Sequence, residues 1–132
     1  MRVLRPAVSA LLLFASIASA AAQTPDANGD YFSNETPVLG KPSPGRSPGS
    51  LWRTLQALGC RKTPDTNSPI LRNLAKGTII EAEVWRGGSD EVLVNPVDKQ
   101  GKPWMAVRGK TSGDVCYVRA RKQNIQPLKA PP

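Results

Sequence analysis

The sequence predicts an all-β protein: a small barrel or sandwich of five to six short antiparallel strands, behind a signal peptide and a disordered tether. Three observations lead there. Apolar and polar residues alternate in short runs. Turn signals separate those runs at close intervals. Thirteen prolines and eleven glycines in 132 residues suit turns and short strands better than a helix bundle. Only 39% of the residues are hydrophobic and 5% aromatic, which limits the chain to one small core plus appendages.

Residues 1–22 read as a secretory signal peptide. Arg2 and Arg5 make a positive start, Ala7 to Ala18 is an apolar stretch too short to span a bilayer, and small residues then crowd together. Ala18-Ser19-Ala20 and Ala20-Ala21-Ala22 both fit the cleavage pattern. Without Arg2 and Arg5, 16 basic residues face 10 acidic ones, so the formal net charge falls from +8 to +6. A cationic protein outside the cytoplasm does not meet cytosolic nucleic acid. Its available polyanions are wall polymers, anionic lipid and acidic proteins. The mature chain contains no expected transmembrane segment.

Residues 23–49 change composition. Pro25, Pro37, Pro42, Pro44 and Pro48 punctuate Gly, Ser, Asn and Asp, a mixture with too little apolar surface to offset the entropy of ordering. The stretch is expected to be a flexible tether, with Tyr31, Phe32, Val38 and Leu39 as the groups able to dock on the domain. Asn34-Glu35-Thr36 is a formal glycosylation sequon, read here as without function.

The domain is expected over residues 50–132. Leu51, Leu55 and Leu58 fit helical spacing, whereas Trp52, Thr54, Gln56 and Leu58 share one face of a strand. The short segment runs on into strand-like sequence, which favours a first strand ending at Leu58-Gly59-Cys60-Arg61. Thr63-Pro64-Asp65 and Asn67-Ser68-Pro69 mark a polar loop. Ile70, Leu71 and Leu74 are expected to return to the core, and Lys76-Gly77 to turn. Thr78 to Trp85 is the clearest strand, with Ile80, Ala82 and Val84 on one face and Glu81 and Glu83 on the other, solvated face. Val92-Leu93-Val94 is a short strand and Asp98-Lys99-Gln100-Gly101 a hairpin turn. Pro103 to Arg108 places Met105 and Val107 inward and Trp104 outward. After a turn at Gly109 to Gly113, Val115 to Arg119 places Cys116 and Val118 on one face and Tyr117 on the other. A helical turn at Arg121 to Asn124 precedes a last strand at Ile125 to Leu128.

Catalysis finds little support. The chain has no histidine, which removes the usual general base and the commonest metal ligand. Two cysteines without histidine do not make a metal site. Gly87-Gly88-Ser89 lacks the strand–loop–helix setting of a phosphate loop. No catalytic residue, metal or cofactor is expected.

Several segments resemble a family. Leu58-Gly59-Cys60-Arg61-Lys62-Thr63-Pro64 and the loop after it resemble the Leu-Asn-Val-Arg-Ser-Gly-Pro opening of a bacterial Src-homology-3 (SH3b) domain. Leu74-Ala75-Lys76-Gly77-Thr78-Ile79-Ile80 resembles its Leu-x-x-Gly-Thr-x-Val segment. Gly101-Lys102-Pro103-Trp104-Met105-Ala106-Val107 resembles its Gly-x-x-Trp-x-x-Val strand, and Cys116-Tyr117-Val118 its Gly-Trp-Val. The likeness runs from Trp52 to Leu128, with Gly59 for the usual Asn, Tyr117 for the common Trp, and a longer Arg86 to Lys102 segment.

The resemblance implies an SH3-like barrel whose first and last strands are neighbours. That brings Cys60, at the end of the expected first strand, near Cys116 in the penultimate one, and an oxidising compartment favours a disulfide between them. It also implies a peptide groove on the outer face. Trp104 and Tyr117 would line it beside a loop carrying Asp65 and Asn67, and Arg61, Lys62, Arg119, Arg121 and Lys122 would form a basic rim. The expected partner is a cell-wall peptide or a peptide segment of an envelope protein. An accessory role, docking on an envelope complex through tether and basic face, and unspecific polyanion binding stay open beside it.

Overall fold

The computed structural model describes residues 24–34, 50–83, 94–111 and 113–128. Seven strands occur there, one more than the expected upper count: β1 (Leu51–Thr54), β2 (Leu58–Arg61), β3 (Ile70–Leu74), β4 (Ile79–Glu81), β5 (Trp104–Arg108), β6 (Val115–Arg119) and β7 (Ile125–Pro127). They form two antiparallel sheets, ordered β4-β1-β7 and β3-β2-β6-β5. The chain just past β4 connects them: Ala82 bridges Val107, and the Glu83 N–H donates to the Ala106 carbonyl at 2.8 Å. The all-β class is as expected. The sheets do not close into a barrel, because among the described residues β3 and β7 end as free edges of the strand order.

The extra strand comes from a break in the expected first one. Trp52 and Thr54 point inward on β1 and Cys60 inward on β2, so the alternation holds its phase. Between them the chain bends. The Leu55 N–H donates to the Asn124 carbonyl at 2.7 Å, and Gln56 Nε2 donates to Asn124 Oδ1 at 2.6 Å. A partner 68 residues away thus turns one alternating run into two strands of different sheets. The residue 121–124 segment is a single hydrogen-bonded turn, closed by Asn124 N–H and Ile125 N–H donating to the Arg121 carbonyl.

Ile70 and Leu71 correct a second expectation. They are 47% and 50% exposed, not core. The β2–β3 register shifts between Cys60 and Arg61, leaving Leu71 as the extra residue of a bulge. Ile70 lies over Gly59 instead. A Cβ on residue 59 would stand 2.8 Å from Ile70 Cδ1, so glycine at that position makes room for it.

The core joins inward residues of both sheets, among them Trp52, Ile80, Met105, Val107, Val118 and Ile125. Tyr31, from the expected tether, belongs to it. Its ring meets Trp52 edge-on at 4.9 Å between centroids. Its N–H donates to the Ala120 carbonyl, Lys122 N–H donates to Gly29, and Asn95 N–H donates to Phe32. Residues 24–34 are therefore packed on the domain, not free as a tether. Phe32 is exposed. Asn34, the sequon residue, is buried and donates its amide to Asn95 Oδ1 at 3.2 Å, which withdraws it from modification in the folded chain.

Cys60 and Cys116 form a disulfide with Cα atoms 5.3 Å apart, both fully buried. It joins β2 to β6, so it pins neighbours within one sheet and not the first strand to the penultimate one. Such a bond fits an oxidising compartment. The expected signal peptide at 1–22, the rest of the expected tether at 35–49, and the expected features at 84–93, including Trp85 and Gly87-Gly88-Ser89, lie outside the described residues.

Candidate functional site

Strand register assembles one row of side chains across the outer face of the four-stranded sheet. Ile70 opposes Arg61, Arg61 opposes Tyr117, and Tyr117 opposes Ala106. Cys60, Cys116 and Val118 turn to the core from the same strands, so alternation sends Arg61 and Tyr117 outward. Tyr117 is half-buried and Ile70 exposed; Ala106 is covered. The row thus runs from an open apolar end, through a cation, to an aromatic ring.

The loop behind this row is built from its own hydrogen bonds. Lys62 N–H donates to the Pro69 carbonyl at 2.8 Å, Thr63 N–H to Ser68 Oγ at 2.9 Å, and Ser68 N–H to the Asp65 carbonyl at 3.1 Å. Asp65 Oδ1 accepts the Asn67 N–H at 2.8 Å. Asp65, expected as a ligand contact, therefore shapes the turn in the way an Asx side chain does, while Asn67, expected beside it, is exposed and gives the turn its backbone N–H. Their turn also places the Ser68 carbonyl, which accepts from Arg61 Nη1 at 2.8 Å.

Trp104 lies on the outward face of β5, as its alternation requires, yet it is only 2% exposed. Residues 96–103 fold back along it: Trp104 N–H donates to the Pro96 carbonyl, and Val97 bridges Pro103. Its indole Nε1 donates to Asp98 Oδ2 at 2.9 Å. The groove aromatic expected here is a covered one. The expected turn 98–101 is present, with Gly101 at φ 77° and Asp98 Oδ1 accepting the N–H groups of Gln100 and Lys102. Desolvation by burial acts to raise the Asp98 pKa. The Trp104 hydrogen bond, the two backbone N–H groups and the charge of Arg119 outweigh it, so the carboxyl titrates below the ordinary aspartate value.

The expected basic rim divides. Arg119 is 17% exposed in its side chain and turned to structural work: Nη1 donates to the Pro103 and Ala120 carbonyls, and Nη2 to Asp30 Oδ1 at 2.6 Å. Arg121 and Lys122 are exposed beside the docked residues 26–30, where the Lys122 stem runs over Gly29. Lys62 is exposed next to Arg61. The rim is thus one pair at the Tyr117 row and a second group at the N-terminal segment.

Glu81 and Glu83 correct the expectation of a solvated face. Both bind Arg108, whose side chain is 4% exposed; the Glu83 contact is 3.0 Å. Two carboxylates shared by one guanidinium make a structural clamp between β5 and the C-terminal end of β4 with the residue just past it. Among the described residues no cluster of three metal-ligating side chains occurs. Three functional placements were not legible in the sequence: Ile70 as a surface group, Ser68 as the carbonyl that holds Arg61, and Asp30 as the partner of Arg119. The first needed the bulge, the second the loop's own hydrogen bonds, and the third long-range packing. Only the covering of Trp104 had a local signal, in Asp98 six residues upstream. No protein family, curated protein or solved structure matches this chain.

Proposed function

We propose that this chain is a non-enzymatic, extracytoplasmic binding module of the SH3b kind, holding a cell-wall peptide or a partner's peptide segment across the Tyr117 row. The observation that carries the reading is the half-buried Tyr117 with Arg61 directly across the strand pair and Ile70 open beyond it. An aromatic ring offers stacking and apolar area at low entropic cost, and the neighbouring cation orients a polar ligand. Antiparallel pairing of the first strand, β1, with the last, β7, supports the SH3-like part of the proposal. The buried disulfide supports an oxidising workplace.

A pull-down of the full mature chain with purified peptidoglycan tests it. The expected result is retention that is lost in Tyr117→Ala while the variant still unfolds cooperatively well above the assay temperature. Retention that survives Tyr117→Ala but collapses in modest salt means unspecific polyanion binding and refutes the proposal. Trp104→Ala is the wrong probe, since it empties a buried site and weakens the fold itself.

A further inference from the structure

The four-stranded sheet carries one arginine on each strand. Arg72 on β3 has Asp114 at 3.6 Å, Arg108 on β5 has Glu81 and Glu83, and Arg119 on β6 has Asp30. Arg61 on β2 has no carboxylate partner among the described residues. It is nonetheless held in place: Nη1 donates to the Ser68 carbonyl at 2.8 Å, and Ser68 is itself buried in the loop's hydrogen bonds. Nε and Nη2 have no partner among the described residues.

A half-buried guanidinium that is positioned but unpaired is prepared for an anion. Its remaining N–H groups can form the two parallel hydrogen bonds that match a carboxylate, and the ordering cost is already met by the Ser68 contact. Ile70 and Tyr117 flank it on the neighbouring strands, so the anion must come with apolar groups on either side. Lys62 adds a second exposed positive charge next to it. A second copy of this chain fits poorly, because a self-complementary contact would set Arg61 and Lys62 against the same cations.

From these observations we infer that Arg61 is the carboxylate anchor of the binding face, and that the ligand is an extended peptide with a free carboxylate between apolar groups. This rests on the peptide-binding reading of the same face and names its ligand chemistry. The peptide carboxylate docks on Arg61, and its neighbouring apolar group lies on Tyr117.

Titration of the full mature chain with stem peptides released from peptidoglycan, in their free-acid form and after chemical amidation, tests the inference. The free acid should bind about tenfold or more tightly than the amide, the ratio expected for one charge-assisted hydrogen bond. Arg61→Met should erase that preference, so that the variant binds the free acid no more tightly than the amide, and Arg61→Lys, which keeps the charge but loses the fork, should retain a smaller preference. Equal binding of both forms by the wild type, or an undiminished preference in Arg61→Met, overturns the anchor and leaves the peptide reading standing. A preference that ignores Arg61 and vanishes with salt assigns the effect to net charge and also overturns it. Failure of the wild type to bind either form defeats the peptide reading, and the anchor with it.

Discussion

Arg61 and Arg119 lie on adjacent strands of one sheet and leave the same face, yet their surroundings differ. Arg119 is closed in by two carbonyls and by Asp30, a residue 89 positions earlier. Among the described residues Arg61 has a single carbonyl, from its own loop. One is a clasp for the N-terminal segment; the other is available. The difference teaches that a basic cluster in a sequence mixes structural and recognition roles, and that the partner, not the residue type, separates them.

The most severe way to break the comparison is to cut the bond between the strands that carry the two arginines. Cys60→Ala with Cys116→Ala opens a loop of sequence separation 56 and should cost about 4 kcal/mol on the chain-entropy account. Denaturant unfolding of the variant reads that loss directly, and an unchanged midpoint would show the bond to be dispensable.

The two tyrosines sharpen it next. Tyr31 is 4% exposed and packed on Trp52, so Tyr31→Ala should cost about 3 kcal/mol. Tyr117→Ala, on the half-buried face, should cost about 1 kcal/mol. Thermal melts of the two side by side check the ranking, and equal losses would refute the division between core tyrosine and outer-face tyrosine.

The arginine partners should repeat the pattern at smaller scale. Asp30→Ala leaves Arg119 without its carboxylate and should cost about 2 kcal/mol, below the range for fully buried pairs because Arg119 keeps some solvent. Arg61→Met removes no ion pair and should cost about 1 kcal/mol or less. Hydrogen exchange of the 26–34 amides should rise in the first variant and stay unchanged in the second.

The smallest expected effect is acid sensitivity on the Arg119 side. The Asp98 carboxyl titrates below the ordinary aspartate value in the folded chain, so at acid pH the unfolded chain binds its proton first. Its contribution is complete above the unfolded value of about 3.9 and is lost as pH falls through the lower folded one. Urea midpoints measured down the acid limb should drop less steeply in Asp98→Asn than in the wild type. Identical slopes would contradict the assignment.

The local chemistry of this chain could be read with some success. Lys76-Gly77 turns with Gly77 at φ 85°, since only glycine takes that geometry freely. Met105, Val107, Cys116 and Val118 enter the core where their alternation puts them. The site was less legible. Tyr117 faces outward as its spacing requires, but Trp104, equally outward, is roofed by residues 96–103. Spacing assigns a face and says nothing of what lies on that face.

By itself, then, the sequence determined the all-β class, the phase of each alternating run and the turns at glycine, because these depend on backbone sterics and on neighbours within a few residues. The tertiary structure alone decided that Trp52 to Arg61 is two strands, that Tyr31 joins the core, that Ile70 stays outside, and that Arg61 has no carboxylate partner among the described residues. Each of those outcomes turns on a non-local contact or a bulge in the pairing, such as Asn124 at the bend or Asp30 on Arg119. Such contacts form between residues tens of positions apart, whose meeting no local pattern encodes.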